Sequence, residues 1–452
     1  MKETSPLKNN LAGCANNYSG GGGQGLGKNQ SELRVISTSS LESPFFGGRS
    51  GMPDTIPDIL EDTKMGEVSL IVTVVNVFAG LGLLSQPYAM ALLGWSGILV
   101  LFLVIAVMNW TSKIIIFTME LVGAKTFPEL AEGSIGALGR QIVAVGVILE
   151  VIGAMLTCFE FIFRQLMFLV PELTPMLALG ISFAACLPSI WILDFSRLRF
   201  LSGIGAISNI TLGLVVAFVS VAYEPMPKRE VQVWKLSPIN IALSSGIFVF
   251  AAGAHATLPR VYNQSVCSAS RWATLMNYCF LIIGVIYAIM GGCGYYIYGN
   301  SVDVLVTQNL IEYPGGILPK IVTVLILIGT FCKISPLMVV AGELTESWIG
   351  ISTMPWLQRL YRTIIFLCVT SFAYILRDDV DLLEALTGSI ATSLTALLVP
   401  ALGYTIATGS HLCQTVGDIF RLLGLVLAVG LSLLLMFGNC YELVNRSKSR
   451  FS

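Results

Sequence analysis

Residues 76–89 read NVFAGLGLLSQPYA, inside an apolar run from about Val68 to Leu92 that is long enough to cross a bilayer. An asparagine, two glycines, a serine, a glutamine and a proline in such a run each weaken the helix or add a polar group that hydrocarbon cannot satisfy. A membrane helix is interrupted only where its freed N–H and C=O groups face protein or a water-filled cavity. Ala79-Gly80-Leu81-Gly82 is the natural break, because glycine accepts unusual backbone angles and leaves the backbone uncovered. A half-helix starting near Leu83 then offers unpaired N–H groups and a positive dipole end to a carboxylate. Carbonyls freed on the other side suit a cation or an ammonium group. Asn76, which precedes the break, can both donate and accept, and Ser85 and Gln86 can bridge the half-helices.

The rest of the chain agrees with a membrane setting. Of 452 residues, 55% are hydrophobic and 12% charged, against about 25% charged in soluble chains. A net charge of −1 gives no reason to expect nucleic acid. Windows near twenty residues pick out eleven helices, at about 68–92, 95–119, 141–169, 176–193, 200–223, 238–258, 273–298, 320–346, 359–376, 382–407 and 416–440. The expected fold is therefore all-α and polytopic, with a transmembrane domain over 65–442 and a short C-terminal tail over 443–452. Residues 1–64, with SGGGGQGLGKNQ and a Ser-rich run, read as a disordered tail. The link from Gly299 to Pro319 has room for a short surface helix. Basic residues gather at Lys113, Lys125, Arg140, Arg197, Arg199, Arg260 and Arg271, a bias that puts the N-terminus in the cytoplasm. Ten cysteines without a C-x-x-C, and two histidines, give no metal or disulfide framework and imply no cofactor.

A second interruption lies in the sixth span, GIFVFAAGAHATLPRVY (246–262), with Gly246, Gly253, His255 and Pro259. Interrupted helices at matched positions point to an inverted repeat, five spans plus five with one extra, and a binding site at the midplane. The plainer alternative is small residues that let helices pack closely. On the transporter reading, Asn76, Ala79, Gly80, Leu81 and Gly82 with Phe248, Phe250, Ala251 and Gly253 form the substrate site.

NVFAGLGLLSQPYAMALLGW (76–95) resembles the first-span signature of the amino acid/auxin permease family, and AHATLPRVY (254–262) is similar to the sixth-span pattern of its vacuolar amino acid transporter branch. CFEFIF (158–163), TFCKISPL (330–337) and VPALGY (399–404) add weaker likenesses, with Ala254 and Val261 where the pattern has Gly and Ile. The resemblance implies a LeuT-like fold and secondary active transport of amino acids, driven by protons, in a vacuolar or lysosome-like membrane, with the plasma membrane as the alternative.

Glu150, Glu160, Arg164, His255 and Lys333 fall inside predicted spans. Such residues line a pathway or pair with each other. Glu160 and Arg164 share a helix face and form either a structural pair or an outer gate. Lys333 lies on the eighth span, where related sodium-coupled folds have a cation-binding helix. Its ammonium can replace sodium, carry the coupling proton, or pair with Glu150 or a carbonyl. His255 is a proton-linked switch or a histidine simply hydrogen-bonded in place.

The leading reading is a proton-coupled amino acid transporter working by alternating access. The alternatives are a transporter-like amino acid sensor signalling through the N-terminal tail and a sodium-coupled symporter. A channel would favour repeated subunits and a filter. No H-E-x-x-H or G-x-S-x-G motif supports an enzyme.

Overall fold

In the computed structural model, residues 65–79, 82–193, 199–222, 230–306, 309, 317–377, 380–409 and 416–451 are described. The N-terminal tail (1–64), Gly80, Leu81 and most of the surface helix expected after Gly299 lie outside them.

The first span is two helices. α1 (Glu67–Phe78) ends where the Ala79 N–H donates back to the Val75 carbonyl at 2.7 Å. α2 (Gln86–Leu93) opens with Pro87, whose missing N–H costs nothing in a first helical turn. Gln86 closes the turn between them, its Nε2 donating to the Gly82 carbonyl at 2.7 Å. α3 (Gly97–Val122) is the second span, and α4 (Phe127–Ile135) is a short helix in the link that follows. α5 (Ala137–Leu169), α6 (Pro175–Ile190) and α7 (Arg199–Ala222) complete the first repeat.

The second repeat starts with the same device. α8 (Pro238–Ala251) stops at Ala252, a single tight turn covers His255–Thr257, and α9 (Leu258–Asn263) opens with Pro259 near its start. α10 (Ala269–Tyr298), α11 (Leu318–Ile349) and α12 (Pro355–Leu376) follow. The tenth span joins α13 (Val380–Leu386), a π-helical segment (Thr387–Leu398) and α14 (Val399–Ala407). Wide π turns inside membrane helices recur at functional sites. α15 (Val416–Phe451) is the eleventh span; it runs on through the residues expected to form a C-terminal tail.

Burial sorts these helices. The stretch Pro238–Asn263 is 89% enclosed over its most apolar window, against 28% for Pro355–Leu376. The sixth span is thus the centre of the bundle, while α12 turns Leu360, Ile364, Leu367 and Ile375 outward to lipid at helical spacing. What holds α12 is polar. Arg362, fully buried, donates to Glu346 of α11 at 2.6 Å and to the Ile192 carbonyl beyond α6 at 2.9 Å, and Gln358 donates to the same carboxylate at 2.8 Å. α11 packs on α5 and α7, and α8 on α2, the π segment and α15.

Candidate functional site

The two breaks face each other. A Cβ on Gly82 would lie 2.3 Å from the Ala251 Cβ and 2.7 Å from its Cα, so the chain can pass here only as glycine. Gly253 is confined in the same way, since a Cβ there would come within 1.9 Å of the Thr392 methyl on the π segment.

Tyr287 of α10 links the breaks directly. Its hydroxyl lies 2.6 Å from the Phe78 carbonyl and 2.6 Å from the Ala251 carbonyl, at the C-terminal ends of α1 and α8. One phenol proton shared between two freed carbonyls satisfies groups that were expected to await a cation or an ammonium. Replacing Tyr287 by phenylalanine leaves both carbonyls short of a donor, at about 1–3 kcal/mol. Tyr287→Phe should therefore lower thermal stability in detergent by several degrees and slow uptake about tenfold, read from melting curves and initial rates.

A cavity of about 30 Å³ opens between the breaks, lined by Val77 of α1, Glu150 and Ala154 of α5, Phe250 and Gly253, Lys333 and Leu337 of α11, and Thr392. Two opposite charges face it without touching. Glu150 accepts from Thr395 at 2.5 Å through Oε2, while Oε1 has no partner among the described residues. Lys333 Nζ, almost fully buried, has no hydrogen-bond partner there either. Unsatisfied charge at membrane depth is costly and marks a place where something else binds. The volume matches about one water molecule, so the helices are drawn in around the site.

Beyond Ala256, which lines both, a vestibule of about 1130 Å³ opens on the α4 side. Its walls carry the ion pairs Arg140–Glu132 (2.6 Å) and Arg260–Glu343 (2.8 Å). Glu129 at the start of α4 accepts from the Lys125 backbone N–H at 2.9 Å, which holds its carboxyl below the usual carboxylate range. The other end of α5 carries a further ion pair. Glu160 accepts from Arg164 at 2.6 Å, and Arg164 also donates to the Arg377 carbonyl at the end of α12.

The other expected residues divide between the cavity and its supports. Phe248 and Ala251 are buried behind the cavity wall, and Ala79 at the end of α1 is fully enclosed. Asn76 is fully buried, with neither amide atom bonded among the described residues and its Oδ1 against the bare backbone of Gly205 on α7, and it is not among the residues lining the cavity. His255 turns away to α3, its Nε2 within 3.1 Å of both Thr111 Oγ1 and the Met108 carbonyl, with Phe78 edge-on at 5.5 Å. Tyr287, Thr392 and Glu384 were not anticipated. Glu384 on α13 is completely buried and neither carboxyl oxygen has a hydrogen-bond partner among the described residues.

The family model described as transmembrane amino acid transporter protein matches residues 63–444. Among curated relatives, amino acid transporter AVT1D of Arabidopsis thaliana is 28% identical over 360 residues, covering 73% of this chain and 61% of that protein. AVT1C from the same plant is 27% identical over 72% of this chain and 60% of its own length. The chain thus spans about three-fifths of the length of these relatives. Among solved structures, MhsT in complex with L-phenylalanine superposes with a TM-score of 0.57 at 12% identity, over 82% of this chain and 98% of that one. A Na+-coupled sialic acid symporter gives 0.55 at 13%, over 84% and 91%. The shared architecture is the LeuT-like fold of interrupted first and sixth helices.

Proposed function

Because the chain belongs to the transmembrane amino acid transporter family, we propose that it carries amino acids across a membrane as a proton-coupled secondary transporter, with substrate bound between the two broken helices. The observation that carries this reading is the pair Glu150 and Lys333, which face one cavity from α5 and α11 without bonding each other. A zwitterion has the complementary ends, its ammonium for Glu150 and its carboxylate for Lys333, and joins both charges at once. Val77, Ala154, Phe250 and Leu337, the apolar part of the lining, would face the side chain once the helices part enough to admit a substrate. Access by way of the α4 vestibule fits a cytoplasm-facing state, in keeping with the basic residues on that side. The likeness of AHATLPRVY to the vacuolar branch supports a vacuole-type membrane. Lys333 is a fixed cation on the eighth span, which favours protons over sodium as the coupling ion.

The test is uptake of a mixed set of labelled amino acids by reconstituted liposomes, with and without a pH gradient, in sodium-free and sodium buffers. Uptake that follows the pH gradient without sodium supports the proposal. A strict sodium requirement removes the coupling assignment, and binding without movement in any buffer turns the reading toward a sensor.

A further inference from the structure

Glu384 has no role in the cavity, yet it breaks the strongest rule for membrane interiors. It sits on α13, fully enclosed, with both carboxyl oxygens lacking hydrogen bonds. Ser85, in the turn before α2, is equally buried; its hydroxyl stands beside the carboxyl without closing a well-formed bond. One turn earlier, Asp381 lies 3.4 Å from the Tyr88 hydroxyl of α2. α2 and the turn before it thus meet α13 through two acids, a half-buried phenol and the Ser85 hydroxyl.

Among the described residues no positive group bonds to Glu384. α8 and the π segment, both packed on α13, contain no titratable side chain. α5 brings Glu160 and Arg164, which are bonded to each other, and α15 brings Asn439, whose amide donates toward the Ala385 carbonyl. Arg377, the basic residue just before α13, lies over the Tyr374 ring at 4.5 Å. Asp381 is a like charge. An ionised carboxylate in these surroundings would cost several kcal/mol with nothing to offset it, whereas a carboxylic acid costs little and has a donor to give Ser85.

We infer that Glu384 is a proton-binding residue of the transport cycle, loaded from the side that the α2–α13 contact closes. The assignment rests on the proposed function and names the group that carries its proton. When α2 parts from α13, water reaches the carboxylate and a proton from that solution joins one oxygen as an O–H. The neutral acid then lets α2 return, with Ser85 accepting its hydrogen bond. After substrate has left, the proton passes to the solution on the opposite side, and the ionised carboxylate that remains drives α2 and α13 apart again. Protonation and closure are thus linked, because only the neutral form tolerates the closed contact. Ser85 lies three residues beyond Gly82, so the same movement acts on the break at the substrate site.

The experiment separates coupling from transport. At one proton per substrate, a gradient of about 1 pH unit supports about tenfold accumulation. Wild-type protein in liposomes is expected to approach that level, and Glu384→Gln to reach only equilibration while still exchanging labelled for unlabelled substrate at zero gradient. Glu384→Asp, which keeps a carboxyl, should restore accumulation with a displaced pH midpoint. Accumulation by Glu384→Gln equal to wild type overturns the assignment, as does an unmoved midpoint in Glu384→Asp, which decides the matter if the Gln variant does not reach the membrane. If wild type itself neither accumulates nor exchanges substrate, it is the transport proposal that fails.

Discussion

Valine at position 82 is expected to reduce the initial rate of uptake by about 100-fold while leaving the protein in the membrane. The reason is the approach of the two breaks. A Cβ on residue 82 would sit 2.3 Å from the Ala251 Cβ and 2.7 Å from its Cα, the second a backbone atom that cannot swing aside. Ala251 is held in turn by its carbonyl, which accepts from Tyr287 at 2.6 Å. Relief requires one half-helix to shift, at about 1–3 kcal/mol for an overpacked contact. If that cost falls on one state of the cycle, it converts to about tenfold in rate for each 1.4 kcal/mol. Gly82→Ala should be milder, and adding Ala251→Gly should recover part of its loss, because the second change removes the Cβ at 2.3 Å and leaves the Cα at 2.7 Å. The check is uptake normalised to protein incorporated. Wild-type rates in Gly82→Val, or a double variant no better than Gly82→Ala, would separate this contact from transport.

That contact also marks the limit of what the sequence reveals. Both interruptions were legible because a glycine or proline inside an apolar run is a local signal with a local cause. Gly82 and Gly253 could be named, but not Ala251 and Thr392, the atoms that make them necessary, since these arrive from other helices. Tyr287 was hidden for the same reason. It is one aromatic among many in the seventh span, and its two acceptors lie 209 and 36 residues away. Glu384 falls two residues inside the tenth expected span, close to Asp378-Asp379, and nothing local marks it as enclosed; the packing of α8, α15, α5 and the π segment on α13 buries it. Arg362 carries no local sign of burial in the sequence, yet it is buried on Glu346. One miss had a signal available. Thr126-Phe127-Pro128-Glu129 has the spacing of a capping box with proline at the start, which announces α4, and the Thr126 hydroxyl does accept from the Glu129 N–H at 3.3 Å. The π segment has no sequence counterpart. Its Ser393 hydroxyl reaches the Gly388 carbonyl five residues back, at 2.9 Å, a spacing that an ordinary α-helical turn does not provide.

Neutralising either charge in the cavity should weaken substrate more than any other single change there. Glu150→Gln keeps the shape and can still accept from Thr395, so what it removes is the negative charge. Lys333→Met keeps the length of the side chain and removes the ammonium. A hydrogen bond to a charged group contributes about 1.5–3 kcal/mol, so each variant should raise KM by about 10- to 150-fold. The double variant should lose less than the product of the two. Each single change leaves one buried charge with no counterpart, and the pair of changes leaves none. Substrate analogues decide whether the charges act as argued. An amino acid amide, which lacks the carboxylate charge, should be rejected by wild type but not further rejected by Lys333→Met. An analogue without the ammonium should behave in the same way toward Glu150→Gln. If both variants keep the wild-type KM, the two charges do not hold substrate. Should Lys333→Met instead acquire a requirement for sodium, the ammonium is standing in for a cation, and the substrate carboxylate is held elsewhere.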